Sequence, residues 1–227
     1  MMKIAVLGSG AVGRTLAARF AALGHQVGLG TRDVAVTLAR SGPDPFGGPP
    51  FPVWHQAHPA VALGSFAEVT ATAELVVNAT NGAGSITALT LAGADNLAGK
   101  VLVDVSNPLD FSQGMPPTLF VKDTDSLAEQ IQRAFPATRV VKSLNTLTVA
   151  LQAEPALLDG GRHSVFVSGD DADAKKTVTD LLVSLGHTDV IDLGDITTAR
   201  GTERYLPLWL RLWGSLGTEM LNILVVR

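Results

Sequence analysis

KIAVLGSGAVGRTLAARFAALGHQVGLGTRD, residues 3–33, is the stretch on which the fold turns. KIAVL is a short, β-rich apolar run. Gly8, Ser9, Gly10, Ala11, Val12 and Gly13 follow it with G-x-G-x-x-G spacing. Val12, Leu16, Phe20 and Leu23 then recur at helical intervals, and Gly24 suits a helix end. HQVGLGT (25–31) reads as a second strand. A glycine turn that closes a first strand and opens a first helix is a dinucleotide-binding fingerprint. Gly8 permits the tight turn, Gly10 lets a pyrophosphate approach the backbone, and Gly13 lets the helix pack against the strand. The free N–H groups and dipole of the helix end then receive the anion. A glycine turn with no ligand is the plainer reading, and the context favours it less.

About twenty residues past such a turn an acid usually holds the ribose of NAD. This chain offers Thr31 and Arg32 there, and Asp33 only afterwards. An acid would repel the 2′-phosphate of NADP. A hydroxyl beside a guanidinium does the reverse, since arginine makes charge-assisted contacts to phosphate and stacks on adenine. The sequence therefore points to NADP(H). Asp33 is expected to cap a helix running to about Arg40, and Arg40 itself reads as a surface residue.

Residues 42–60 break the rhythm. They hold six of the twelve prolines, with Phe46, Phe51 and Trp54 between them. Strands near 61–63, 74–80, 100–106 and 139–144 then alternate with helices from about Ser65, near 84–92 and near 124–135. The remainder continues with strands at 163–169 and 188–194, a helix from Asp170 or Asp171 to about Leu185, and a last helix over about 201–223. Alternation of this kind gives an α/β fold, a doubly wound, parallel Rossmann-type sheet covered on both faces. The expected division is a dinucleotide-binding domain, 1–145, and a small C-terminal α/β extension, 146–227, with a final apolar helix.

Bulk properties narrow the partners. The chain has 227 residues, 46% apolar and 17% charged, with a net charge of −4. Nucleic acid and anionic membranes are not expected partners. With no cysteine, disulfides and thiolate metal sites are excluded. The apolar stretch from Lys3 runs straight into the glycine turn, so no leader is expected there. The apolar run from Tyr205 to Val226 is interrupted by Arg211 and Glu219, which favours a packed helix over a membrane span. A cytoplasmic protein is the expectation.

The glycine-turn stretch resembles the N-terminus of the NADPH-dependent coenzyme-F420 reductases, also called F420-dependent NADP oxidoreductases. The resemblance continues in VVKSLNTL (140–147), FVSGDDADAKK (166–176) and ITTARGTERY (196–205). The same features resemble the oxidoreductase domain of the STEAP metalloreductases, which use NADPH and flavin. The resemblance implies NADP(H) on the Gly8–Gly13 turn and on Thr31 and Arg32. It places Thr80, Asn81, Ser106, Asn107 and Pro108 beside the nicotinamide. It turns Asn145 and Thr146 toward the second cofactor, F420 or a flavin, and sets the loop of Arg200 nearby, where Arg200 would meet an anionic part of that partner. The Pro-rich insert, and Val36 in place of a second basic phosphate contact, depart from the pattern.

No catalytic side chain stands out. Tyr205 is the only tyrosine, Lys142 lies within a strand, and His25, His163 and His187 are expected at the surface. His55 and His58 lack a third metal ligand, so no metal is expected. Transfer between two cofactors needs no such group, because the protein supplies orientation. A reductase of a small carbonyl or imine, or a binding protein that senses NADP(H), remain the alternatives. Phe46, Phe51 or Trp54 could cover the acceptor. Arg200 could instead pair with Glu203. Leu206, Trp209, Leu210, Trp213 and Leu216 follow helical spacing with Leu208 and Leu212 beside them, and this broad apolar surface suggests a homodimer through the last helix.

Overall fold

The computed structural model describes residues 1–43 and 47–227. The first half runs β1 (Lys3–Leu7), α1 (Ala11–Ala22), β2 (Gln26–Thr31), α2 (Val34–Leu38), α3 (Phe51–Ala57), β3 (Val61–Ser65), α4 (Phe66–Thr72), β4 (Leu75–Asn78), α5 (Ser85–Ala92), α6 (Ala94–Leu97) and β5 (Val101–Asp104). A ribbon of β6 (Leu109–Asp110) and β7 (Thr118–Leu119) follows, then α7 (Leu127–Ala134) and β8 (Arg139–Ser143). The chain continues through α8 (Val149–Ala153), β9 (Ser164–Ser168), α9 (Ala172–Leu185), β10 (Asp189–Asp192), α10 (Ala199–Arg204) and α11 (Leu206–Leu216).

Eight strands form one sheet in the order β10-β9-β8-β5-β4-β1-β2-β3. All neighbours are parallel except β8 and β9, which pair antiparallel. Strand direction thus reverses between β8 and β9 within a continuous sheet. Alternation explains the two cores. Ile4 and Val6 face Leu16 and Phe20 of α1 and Val178 and Leu182 of α9, while Ala5 and Leu7 face the side of Leu89 of α5 and Ile131 of α7. Two buried faces require strands apolar on both, which LVV in β4 and VLV in β5 supply.

Local signals fix the helix starts. Asp33 accepts from the Val36 N–H at 2.9 Å, and Asp171 from that of Ala174 at 2.7 Å. Ser65 and Glu68 form a reciprocal capping box.

Several expectations are corrected. The Pro-rich insert is not wholly irregular: α3 forms within it, started by the proline-compatible first turn at Phe51-Pro52. The single last helix is two, α10 and α11, and α11 stops at Gly217, whose φ of 68° is left-handed. Beyond it the tail returns to the sheet, where the Ser164 N–H donates to the Ile223 carbonyl at 2.9 Å. That tail and α8 cover His163 and His187, which are buried rather than at the surface. His163 Nε2 donates to the Pro155 carbonyl at 3.1 Å, and its Nδ1 accepts from Asn222 at 2.8 Å. His187 Nε2 donates to the Gln152 carbonyl at 3.2 Å, and Nδ1 has no hydrogen-bond partner. No described helix is long and apolar enough to cross a membrane.

Candidate active site

Because β8, β5, β4 and β1 are consecutive in the sheet, the loops that leave their C-terminal ends lie side by side. Those loops carry Asn145, Ser106, Thr80 and Gly8, so the topology brings together the residues that the sequence singles out. At the glycine turn, a Cβ on Gly13 would stand 1.7 Å from the Gly8 carbonyl oxygen, and one on Gly8 2.5 Å from that of Ala79. Both glycines are demanded by close packing. Gly10 differs: no protein atom lies within 4 Å of its would-be Cβ, and its φ of −80° is ordinary. Ala11 and Val12 open α1, whose N-terminus has no side-chain cap.

Thr31 is buried, and its hydroxyl pairs with that of Thr37 at 2.7 Å. Arg32 is exposed beside it, with no ion pair among the described residues. Two further arginines approach the turn: Arg40, exposed as the sequence reading has it, and Arg14, which the sequence does not single out. Arg40 Nη2 donates to Ser9 Oγ at 2.5 Å, and its guanidinium lies 5.1 Å from the Phe51 ring centre. Buried Arg14 donates to the Pro49 carbonyl at 2.8 Å and lies 5.9 Å from the Trp54 ring centre. Phe51 and Trp54 are therefore core residues backing the arginines, not covers for an acceptor. Phe46 lies outside the described residues. His55 and His58 stack on Phe51 and Trp54.

The floor of the site is one buried polar network. Thr80 donates to Asn78 Oδ1 at 2.7 Å, and Asn78 Nδ2 to Asp104 Oδ1 at 2.8 Å. Ser106 Oγ donates to the same Asp104 oxygen at 2.7 Å. Lys142, wholly buried, donates to Asp104 at 2.8 Å, to the Ser106 carbonyl at 2.5 Å and to Glu203 at 3.0 Å. Burial works to lower the Lys142 pKa, but the charges of Asp104 and Glu203 outweigh it and hold the ammonium above its usual value. Glu203 also accepts from the Leu127 and Ala128 N–H groups at 2.8 and 3.1 Å. Asn81 is exposed and caps the next turn through Ala83, and the Pro108 carbonyl accepts from Phe120 in the ribbon.

Asn145 and Asn107 exchange hydrogen bonds of 3.1 and 3.0 Å, and Asn145 Nδ2 also donates to the Thr202 carbonyl at 3.1 Å. Its amide nitrogen is thus committed to the protein. Arg200 makes a bidentate pair with Glu129 at 2.8 and 2.6 Å and is not among the residues that line the cleft; among the described residues it forms no pair with Glu203.

Beyond Asn107 and Thr146 opens a cleft of about 520 Å³. Val12, Val105, Trp209 and Trp213 of α11, and Phe111 and Met115 of the β6–β7 segment are among the residues that line it. The two tryptophan rings are 5.6 Å apart. Val12 belongs both to the glycine turn and to this cleft, so the two parts of the site adjoin.

Comparison with known proteins agrees with this geometry. Residues 3–108 match the family described as NADP oxidoreductase, coenzyme F420-dependent. A crystal structure from Arthrobacter sp. FB24, provisionally described as an F420-dependent NADP reductase, is 62% identical with a TM-score of 0.97, and each chain is covered in full. The rat metalloreductase STEAP3 is 32% identical over 212 residues, 91% of this chain and 38% of that protein. The F420-dependent NADP reductase of Methanocaldococcus jannaschii is 30% identical over 120 residues, 52% of each. The chain thus spans about half or less of these two curated relatives. Full-length likeness at 62% identity, together with the family match over residues 3–108, places the chain in the family of coenzyme F420-dependent NADP oxidoreductases.

Proposed function

We propose that the chain transfers hydride between NADP(H) and a flat ring-bearing acceptor, a deazaflavin of the F420 type or a flavin. The supporting observation is the cleft's chemistry. The lining is mainly apolar; among the described residues it holds no lysine, histidine or tyrosine, and Glu219 is its one titratable side chain. A carbonyl or imine reductase would have to draw its proton from that carboxyl or from water. Ring-to-ring transfer needs only that the two rings be held in register and dry. NADP(H) supplies the hydride when bound.

The chain's residues then divide the work. Gly8–Gly13 and the uncapped start of α1 hold the pyrophosphate, and the open space over Gly10 fits a ligand's approach. Arg32 meets the 2′-phosphate. Thr80, Asn81, Ser106, Asn107 and Pro108 form the nicotinamide floor, kept rigid by the Asp104–Lys142 network. Asn145 fixes Asn107, and Thr146 lines the acceptor side. Trp209 and Trp213 exclude water. A homodimer through α11 forms part of this proposal, since Leu208 and Leu216 remain 56% and 61% exposed; a monomeric mass by light scattering would count against it.

Steady-state NADPH oxidation with F420, FMN, FAD, small ketones and cyclic imines tests the reading. Turnover with a ring acceptor and none with ketones or imines is expected. Turnover with ketones or imines alone would overturn it, and tight NADPH binding with no acceptor reduced would make the chain a sensor.

A further inference from the structure

Two residues of the cleft carry buried polar atoms that the protein itself does not pair. Gln152 of α8 is only 4% exposed, and its Oε1 has no hydrogen-bond partner among the described residues. Nε1 of Trp209, on α11, is buried and without a partner in the same sense. Both side chains line the cleft beyond Asn107 and Thr146. Buried polar atoms are nearly always hydrogen-bonded, so two such atoms in the lining of one cleft point to a guest that pairs them.

The sense of each atom is fixed. Gln152 Nε2 donates to the Leu147 carbonyl at 3.1 Å, and that carbonyl can only accept, so the free end of the amide is its oxygen. An indole nitrogen can only donate. The amide nitrogens of Asn107 and Asn145 are spent within the protein and do not duplicate this donor. Both side chains are also held in place. The Gln152 carbonyl accepts from buried His187 at 3.2 Å, and the Trp209 ring packs 5.6 Å from that of Trp213.

A guest that satisfies both atoms presents a donor beside an acceptor. A ketone offers acceptors alone, and an imine nitrogen a single site. The pyrimidinedione edge shared by flavins and deazaflavins has an N3–H flanked by two carbonyls, on a flat ring whose faces suit the apolar remainder of the lining. The nicotinamide carboxamide also has both groups, but its expected place is at the ends of β4 and β5, whereas α8 and α11 follow β8.

We infer that Gln152 and Trp209 recognise the pyrimidinedione edge of the acceptor ring, Gln152 Oε1 accepting from N3–H and Trp209 Nε1 donating to a neighbouring carbonyl. This inference rests on the ring-acceptor reading above.

The test is equilibrium binding of oxidised F420 and FMN to the NADP+-saturated protein, where no hydride can pass, for wild type, Trp209→Phe and Gln152→Leu, each checked for an unchanged melting temperature. The ring that binds more tightly names the acceptor, and its N3-methyl derivative, which lacks the donor, is titrated beside it. Trp209→Phe, which keeps an aromatic ring in place, is expected to weaken that ring about five- to fifty-fold, with NADP+ affinity unmoved. Wild type is expected to bind the N3-methyl derivative more weakly by a similar factor, and Gln152→Leu to abolish that discrimination. The methylated ring probes Gln152 in the wild type, so the test stands even where Gln152→Leu does not fold. Unchanged ring affinity in Trp209→Phe, or equal binding of the methylated ring by wild type, would overturn the inference. So would a loss confined to NADP+, which would give the two atoms to the nicotinamide carboxamide. A wild type that binds neither ring would instead sink the ring-acceptor reading, and this inference with it.

Discussion

Lys142 shows how a single residue can bind three loops into one site. Its ammonium gives one hydrogen bond each to Asp104, the Ser106 carbonyl and Glu203. Through Asp104 it reaches Asn78 and Thr80, and through Glu203 the start of α7. Lys142→Met would leave two carboxylates buried without their cation, and a broken buried pair of this kind costs about 3–5 kcal/mol. Urea denaturation should show a loss of that size. A loss below about 1 kcal/mol would mean that the carboxylates are relieved by other means, such as taking up a proton. Sequence could not reveal this network. Lys142 is legible only as a strand lysine, and Glu203 lies 61 positions later in a different helix. Arg200 is the same case, because Glu129 stands 71 positions before it.

At the level of elements, the glycine turn and α1 were legible because their signal is local. Gly8, Gly10 and Gly13 declare themselves by spacing, and Asp33 caps α2 as its position suggests. The structure separates what the three glycines do. Gly13→Ala would drive a Cβ into the Gly8 carbonyl and is expected to cost stability heavily, by about 1–3 kcal/mol or more. Gly10→Ala meets no protein atom, so stability should hold or rise by about 0.4–1 kcal/mol. Its NADPH affinity should nonetheless fall several-fold or more, because the added methyl occupies the ligand's side of the turn. Thermal melts alongside NADPH titration check both; a Gly10→Ala protein with intact affinity would remove the pyrophosphate from that surface. Proline content concealed α3 and the β6–β7 ribbon. Neither has periodicity, and both owe their form to what they pack against: Arg14 and Arg40 in one case, the cleft in the other.

Over the whole molecule, the doubly wound architecture and the row of loops at the strand ends followed from alternation alone. The reversal at β9 and the returning tail did not, since both depend on contacts between distant segments. That tail has a consequence in acid. By closing over His163 it also seals His187, whose pKa burial lowers to about 4, with further lowering from His163. In the unfolded chain the same imidazole titrates near 6.5. Above that value it is neutral in both states and costs nothing. As pH falls from about 6.5 toward 4 the unfolded state gains a proton that the folded state refuses, so stability drains away in that window. The shift corresponds to a loss on the order of 3 kcal/mol. His187→Gln, which keeps a donor for the Gln152 carbonyl but cannot titrate, should flatten the fall in melting temperature between pH 6.5 and 4. An unchanged slope would place the acid sensitivity elsewhere. Since Gln152 also lines the cleft between Asn107 and α11, mild acid should loosen that cleft at Gln152 before the glycine turn is disturbed.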